Sequence, residues 1–162
     1  VRVYVAAKEN KGAEELLSLM LEKYSKANVK RGYYLSRAWY EQGRLAMQRE
    51  EHELALKFLN RAENAARGRL LNTEQRLDLW IQQSHCYREM ENYDTAMLTL
   101  SKVINEDVVS PLRLKAMFLR AEVYELEGRH ELAVKQLEAT SKIGGDWALK
   151  AKEKLEKNYG FN

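Results

Sequence analysis

His85 and Cys86 are the one adjacent pair in the chain with the residue types of a thiolate–imidazole nucleophile. That chemistry needs both side chains within hydrogen-bonding reach. Neighbouring residues on a helix point about 100° apart and do not meet, so the pair is read as helical, with Cys86 a small core residue beside Tyr87. His52 and His130 occupy one recurring turn position, held by Tyr93 in between, where packing or capping explains them. There is no phosphate-cradling loop, Gly-x-Gly-x-x-Gly, His-Glu-x-x-His or nucleophile elbow, and no Cys/His cluster with zinc spacing. No catalytic residue, cofactor or metal site is therefore expected, and Gly144-Gly145 reads as a helix stop. Arg61, Arg67, Arg69 and Arg76 form a basic strip that would suit phosphates. Glu63 and Glu74 among them make a solvated helix face the simpler reading.

The elements that position these residues are helices. The 162 residues include 1 Pro and 8 Gly, too little turn chemistry for a β-sandwich or barrel. With 3 Trp, 9 Tyr and 3 Phe the chain has the apolar mass for one ordinary core. The net charge of +3 is far from a nucleic-acid signature. No apolar run approaches the roughly 20 residues of a membrane span, so direct membrane insertion is not expected. The lone Cys86 closes no internal disulfide. The compartment stays open between cytoplasm and bacterial envelope or periplasm, since a chain starting at Val1 is expected to be a fragment.

Ala55, Phe58, Leu59, Ala62 and Ala66 recur at helical spacing, as do Leu16, Leu17, Met20 and Ala96, Leu100, Val103. A last stripe runs Trp147, Ala151, Leu155, Tyr159. Ser110 before Pro111 marks a helix start, Asn72 with Gln75 resembles a capping box, and Asp146 is the expected N-cap of the last helix. Breaks are expected near 10–12, 28–32, 50–53, 68–73, 91–92, 106–110, 128–130 and 144–146. They divide the chain into about nine helices, the first truncated. The fold class is all-α.

Ala13, Ala55, Ala96 and Ala133 each follow a short turn and start a helix. Sixteen residues before the last three stand Trp39, Trp80 and Met117; nine before stand Ala46, Tyr87 and Tyr124, with Tyr4 before Ala13. Four residues after stand Leu17, Leu59, Leu100 and Leu137. This pattern resembles the tetratricopeptide repeat, a helix–turn–helix unit of about 34 residues. Gly43, Ser84 and Ala121 sit where a small residue lets the paired helix approach. The resemblance implies a right-handed superhelical array of antiparallel helix pairs, a TPR-like α-solenoid, as a single domain over 1–162. Its parts are a partial leading repeat over 1–28, repeats over 29–72, 73–109 and 110–144, and a C-terminal capping helix over 145–162. The alanines are 42, 41 and 37 residues apart. An excess of about seven residues is two helical turns, so long helices rather than long loops are expected over 60–80. The capping helix is expected to turn Lys150, Lys152, Lys154 and Lys157 outward.

What is known of the family implies a protein-interaction scaffold, not an enzyme, with a groove lined by the first helix of each repeat. Carried onto this sequence, that groove contains Arg37, Tyr40, Arg44 and Met47, then Ile81, His85 and Arg88, then Lys115, Phe118, Glu122 and Glu125. Gln48, Asp78, Glu89 and Leu126 complete these faces. Tyr40, Ile81 and Phe118 form an expected apolar ladder, and the flanking charges pass from basic to acidic. A protein or peptide partner is expected, with its acidic end near Arg37 and Arg44 and its basic end near Glu122 and Glu125. The carboxylate clamp of chaperone-binding members needs Lys and Asn where Tyr40 and Arg44 stand, which disfavours that partner. A structural, self-associating repeat module and a nucleic-acid-associated module using the arginine strip are the other readings. No small-molecule substrate is expected.

Overall fold

Eight helices account for nearly all of the described residues 10–24, 30–66 and 71–160 of a computed structural model. They are α1 (Asn10–Tyr24), α2 (Lys30–Gln48), α3 (His52–Ala66), α4 (Thr73–Glu89), α5 (Tyr93–Asn105), α6 (Pro111–Leu126), α7 (His130–Ser141) and α8 (Asp146–Tyr159). No strand occurs among the described residues. Tyr4, Arg67 and Arg69 lie outside them, as does any helix before Asn10. The first expected break, 10–12, is instead the opening turn of α1. Over 60–80, α3 runs to Ala66 and α4 begins at Thr73, with 67–70 between them outside the described residues.

Side chains expected to start helices do so at two of three places. The Asn72 carboxamide accepts from the Gln75 amide at 2.9 Å, and the Gln75 side chain accepts from the Asn72 amide at 3.1 Å. Ser110 accepts from the Leu112 amide at 3.1 Å, with Pro111 in the first turn, where its missing N–H leaves nothing unpaired. At α8 the expectation is corrected by one residue. Gly145, at φ +84°, is the N-cap, and Asp146 lies inside the first turn, where its charge favours the helix dipole.

The chain divides into two compact units, Val1–Met90 and Glu91–Asn162. In the first, α2 packs along α3, and α3 on α4, around Ala46, Ala55, Leu59, Ala62, Leu79 and Cys86. Gly43 brings α2 against α3: a Cβ there would lie 2.8 Å from Leu59 Cγ. The half-buried Trp39 stacks on Phe58 at 5.6 Å, and Trp80 donates its indole N–H to Glu63 at 2.8 Å. In the second unit α5, α6, α7 and α8 pack in sequence, with Phe118, Ala121, Leu137, Ala151 and Leu155 at the centre of one cluster.

The turns joining paired helices share a backbone feature. Glu50 and Glu91 have φ of +60° and +58°, and Gly128 has φ of +72°. All three stand five residues before a repeat alanine, so one left-handed position recurs. Only Gly128 takes it freely, having no Cβ to crowd; for other residues the penalty is roughly 1–2 kcal/mol. Glycine's extra freedom in the unfolded chain offsets part of that. Glu50→Gly and Glu91→Gly together should therefore stabilise the protein by about 1 kcal/mol and raise Tm by about 2–4 °C. Thermal melts by circular dichroism check this; a fall in Tm would mean the glutamates do something there that their geometry does not reveal.

Candidate partner-binding surface

On α2, Glu41 is buried between two of the expected groove arginines. Its carboxylate lies 2.8 Å from Arg37 Nη2 and 3.2 Å from Arg44 Nη1, with 2% of the side chain exposed. Arg37 also lies over the Tyr40 ring, 5.1 Å from its centroid. Tyr40 donates its hydroxyl to the Asp78 carboxylate on α4 in a short hydrogen bond. Burial, then the Asp78 charge, hold the Tyr40 phenol well above its usual range. Farther along α4, Arg88 pairs with Glu89 at 2.8 Å, and His85 lies 3.9 Å from the same carboxylate. The hydrogen bond from Arg88 is the main cause that holds Glu89 below the ordinary glutamate range. Met47 and His85 are partly exposed, and the His85 ring sits 6.2 Å from that of His52. Cys86 is fully buried, which pushes its thiol up to about 11 and leaves it without nucleophilic character at neutral pH.

In the second unit, α8 meets the expected groove residues of α6. Lys154 lies 2.7 Å from Glu125 and 3.3 Å from Glu122, and the Tyr159 hydroxyl donates to Glu125 at 2.9 Å. Phe118 packs against Trp147 at 5.4 Å between centroids, and Lys115 lies 6.0 Å from the Trp147 ring.

Three expectations are corrected here. Tyr40, Ile81 and Phe118 are only 6%, 3% and 9% exposed, so the apolar ladder is not an open track. Lys154 faces α6 instead of solvent, because it lies seven residues after Trp147 on the stripe that α8 buries. The charges anticipated for a ligand are partly met within each unit, by Glu41 between Arg37 and Arg44 and by Lys154 between Glu122 and Glu125, one opposite charge for each pair. Glu41 was recoverable from spacing, four residues after Arg37 and three before Arg44. Of the arginine strip, Arg61 lies 4.9 Å over Trp39 and Arg76 5.5 Å over Trp80. These are stacked side chains on helix faces. The described residues hold no group of three or more His, Cys, Asp or Glu arranged for a metal.

The contacts around Glu125 make stability pH-dependent. Burial, then the Glu125 carboxylate, raise the Tyr159 phenol to about 12. Burial alone would lower the Lys154 ammonium, but Glu125 and Glu122 outweigh it and raise the value. Both groups hold their protons more tightly folded than unfolded. The Tyr159 contribution is thus complete below pH ~10, the unfolded tyrosine value, and is lost as pH rises through about 12, and that of Lys154 is lost as pH rises through its own raised range. Melting temperatures between pH 9 and 12 should fall more steeply for the native sequence than for Tyr159→Phe; parallel curves would show that the phenol plays no part.

Residues 77–107, which span α4, the following turn and α5, match the model of the tetratricopeptide repeat. This stretch is similar to a tetratricopeptide repeat. Solved structures agree on the fold. A Podosopora anserina protein described as a kinesin light chain with nearly identical TPR-like repeats is 18% identical, with a TM-score of 0.77 over 98% of this chain and 81% of that one. The TPR domain of Arabidopsis OM64 is 16% identical, with a TM-score of 0.60 over 78% of this chain and 98% of that one. MamA protein is 22% identical, with a TM-score of 0.55 over 96% and 80%. Among curated proteins no sequence matches significantly. The fold is therefore that of tetratricopeptide-like helical repeats. No helix among the described residues is long and apolar enough to cross a membrane.

Proposed function

We propose that the chain is an interaction scaffold receiving a peptide or helix of a partner protein on the first-helix faces of its tetratricopeptide-like pairs. The observation that carries this reading is the tetratricopeptide match over α4 and α5. In the first unit the face in question keeps Arg44, Met47, His85 and Arg88 partly exposed above the buried Tyr40 and Ile81. These side chains offer donors and a thioether to an incoming chain, while the aromatic and aliphatic residues beneath them hold the helices.

Recognition would rest on hydrogen-bond geometry more than on net charge. Arg44 shares Glu41 with Arg37, and Arg88 shares Glu89 with His85. A partner therefore meets charges that are already partly compensated, and affinity should vary less with salt than for free arginines.

The test is affinity capture with the 162-residue chain as bait, followed by calorimetry with the purified partner. Arg44→Gln with Arg88→Gln should weaken binding about tenfold or more, without lowering Tm by more than a few degrees. Unchanged affinity would remove this face from the binding surface. Capture of nucleic acid in place of protein, with a steep salt dependence, would overturn the reading.

A further inference from the structure

The second unit contains a cavity. It has a volume of about 620 Å³ and opens between the segment joining α5 to α6 and the segment joining α7 to α8. That size lies within the range of ligand-holding clefts, roughly 300–1,000 Å³, and exceeds any single side chain. Its apolar lining is Val108, Val109, Pro111, Leu114, Ile143 and Trp147. Val109 is 107% exposed and Ile143 60%, both at loop positions where no core contact explains an aliphatic residue. Keeping them in water is unfavourable unless something else covers them.

The charges around the cavity differ from those on the α6 face. Arg113 and Asp146 line it. Lys150 and Lys115 lie 4.1 and 6.0 Å from the centroid of the Trp147 ring that forms one wall. Among the described residues, none of these four side chains has an ion-pair partner, whereas Lys154, Glu122 and Glu125 pair with one another. Arg113 and Asp146 balance within the lining, and the two lysines beside the Trp147 wall leave an excess of positive charge. Lys142 and Asp107, which flank Ile143 and Val108, cancel each other.

We propose that this cavity is a second docking site, which takes the bulky apolar side chains of an acidic peptide segment of a partner. The aliphatic and indole walls bury the apolar side chains, and the peptide's carboxylates meet Arg113, Lys115 and Lys150. Apolar lining with cations beside its Trp147 wall distinguishes an acidic-hydrophobic segment from a basic one, which would be repelled there. The site uses neither Arg44 nor Arg88 of the first unit.

The probe is a fluorescein-labelled heptapeptide in which Leu and Phe alternate with Asp and Glu, beside a counterpart carrying Lys at each acidic position. Binding is read by anisotropy. The unlabelled peptides are followed by the three indole N–H resonances of ¹⁵N-labelled protein. The acidic peptide should move the Trp147 indole resonance, and Val109→Asp or Ile143→Asp should weaken binding by about tenfold. Both side chains are exposed, so these variants keep the fold, which their melting curves verify. Arg113→Glu with Lys150→Glu should have the same effect, while Arg44→Gln with Arg88→Gln should leave this binding unchanged. The proposal is overturned if the Trp147 resonance stays still or if the lysine peptide binds equally well. It also fails if Val109→Asp has no effect, or if the cavity instead closes on a second copy, seen as concentration-dependent sedimentation that Ile143→Asp abolishes.

Discussion

Gly43→Leu is expected to cost the first unit at least about 3 kcal/mol, at or above the upper end of ordinary overpacking. A Cβ at this position would lie 2.8 Å from Leu59 Cγ, 2.9 Å from Leu59 Cδ2 and 3.3 Å from the Ala55 carbonyl oxygen. Leu59 is fully buried among Ala55, Ala62, Leu79 and Cys86, so it has no empty rotamer to move into. Side-chain adjustment cannot absorb a leucine. α3 has to move off α2, which also pulls Phe58 away from the Trp39 ring it stacks on. Gly43→Ala separates the two opposing effects. It gains about 1 kcal/mol of helix propensity and meets the same Leu59 atoms with a single methyl, so it should fall between the native protein and the leucine variant. Ser84 and Ala121 hold the same place in the following repeats and carry a Cβ, so the glycine is specific to the α2–α3 pair. Urea denaturation followed by circular dichroism measures the cost. A leucine variant with the native midpoint would mean that α2 and α3 are not in close packing.

The helix pairing was legible in the sequence because it depends on single residues at fixed spacing. The alanines Ala55, Ala96 and Ala133 are all completely buried, as are Leu59 and Leu137, while Leu100 is 1% exposed. Spacing determines which side of a helix a residue occupies, and core contacts follow directly from that. The candidate surface was less legible because exposure depends on what covers a face. Phe118 has the same helical phase whether it is open or beneath α8, and only the observed approach of Trp147 distinguishes the two. The charges were misjudged for a related reason. Reading one position per repeat picked out Arg37 and Arg44 and passed over Glu41, one residue beyond Tyr40, which pairs with both and cancels one of their two charges. The left-handed turns were hidden by composition: Gly128 advertises the conformation, while Glu50 and Glu91 adopt it without a glycine to mark it. The cavity between the two interhelix segments left no periodic signal, because loop residues such as Val109 and Ile143 belong to no stripe.

Phe118→Ala is expected to destabilise the second unit by about 3–5 kcal/mol, the range for removing a buried aromatic from a core. Its ring is 9% exposed and packs with Ala121, Leu137, Ala151 and Leu155. One neighbour is the Trp147 ring, inclined at 49°, and Lys154 Nζ lies 5.4 Å from the Phe118 centroid. Truncation would therefore remove apolar area, leave a cavity and deprive Lys154 of the surface over which it reaches Glu122 and Glu125. Phe118→Leu refills most of the space and should cost less than half as much. Two measurements separate a core ring from a ligand-facing one. Urea midpoints give the cost, and amide exchange along α8 shows whether loss of the ring frees that helix. A groove aromatic awaiting a partner would cost within about 0.5 kcal/mol, as surface substitutions do, and would leave α8 exchange unchanged; that result would restore the open ladder. Strong destabilisation with faster α8 exchange identifies Phe118 as the residue that fastens the last helix. Partner recognition on that side must then rely on side chains around the ring, and mutations that abolish binding through Phe118 would report unfolding, not contact.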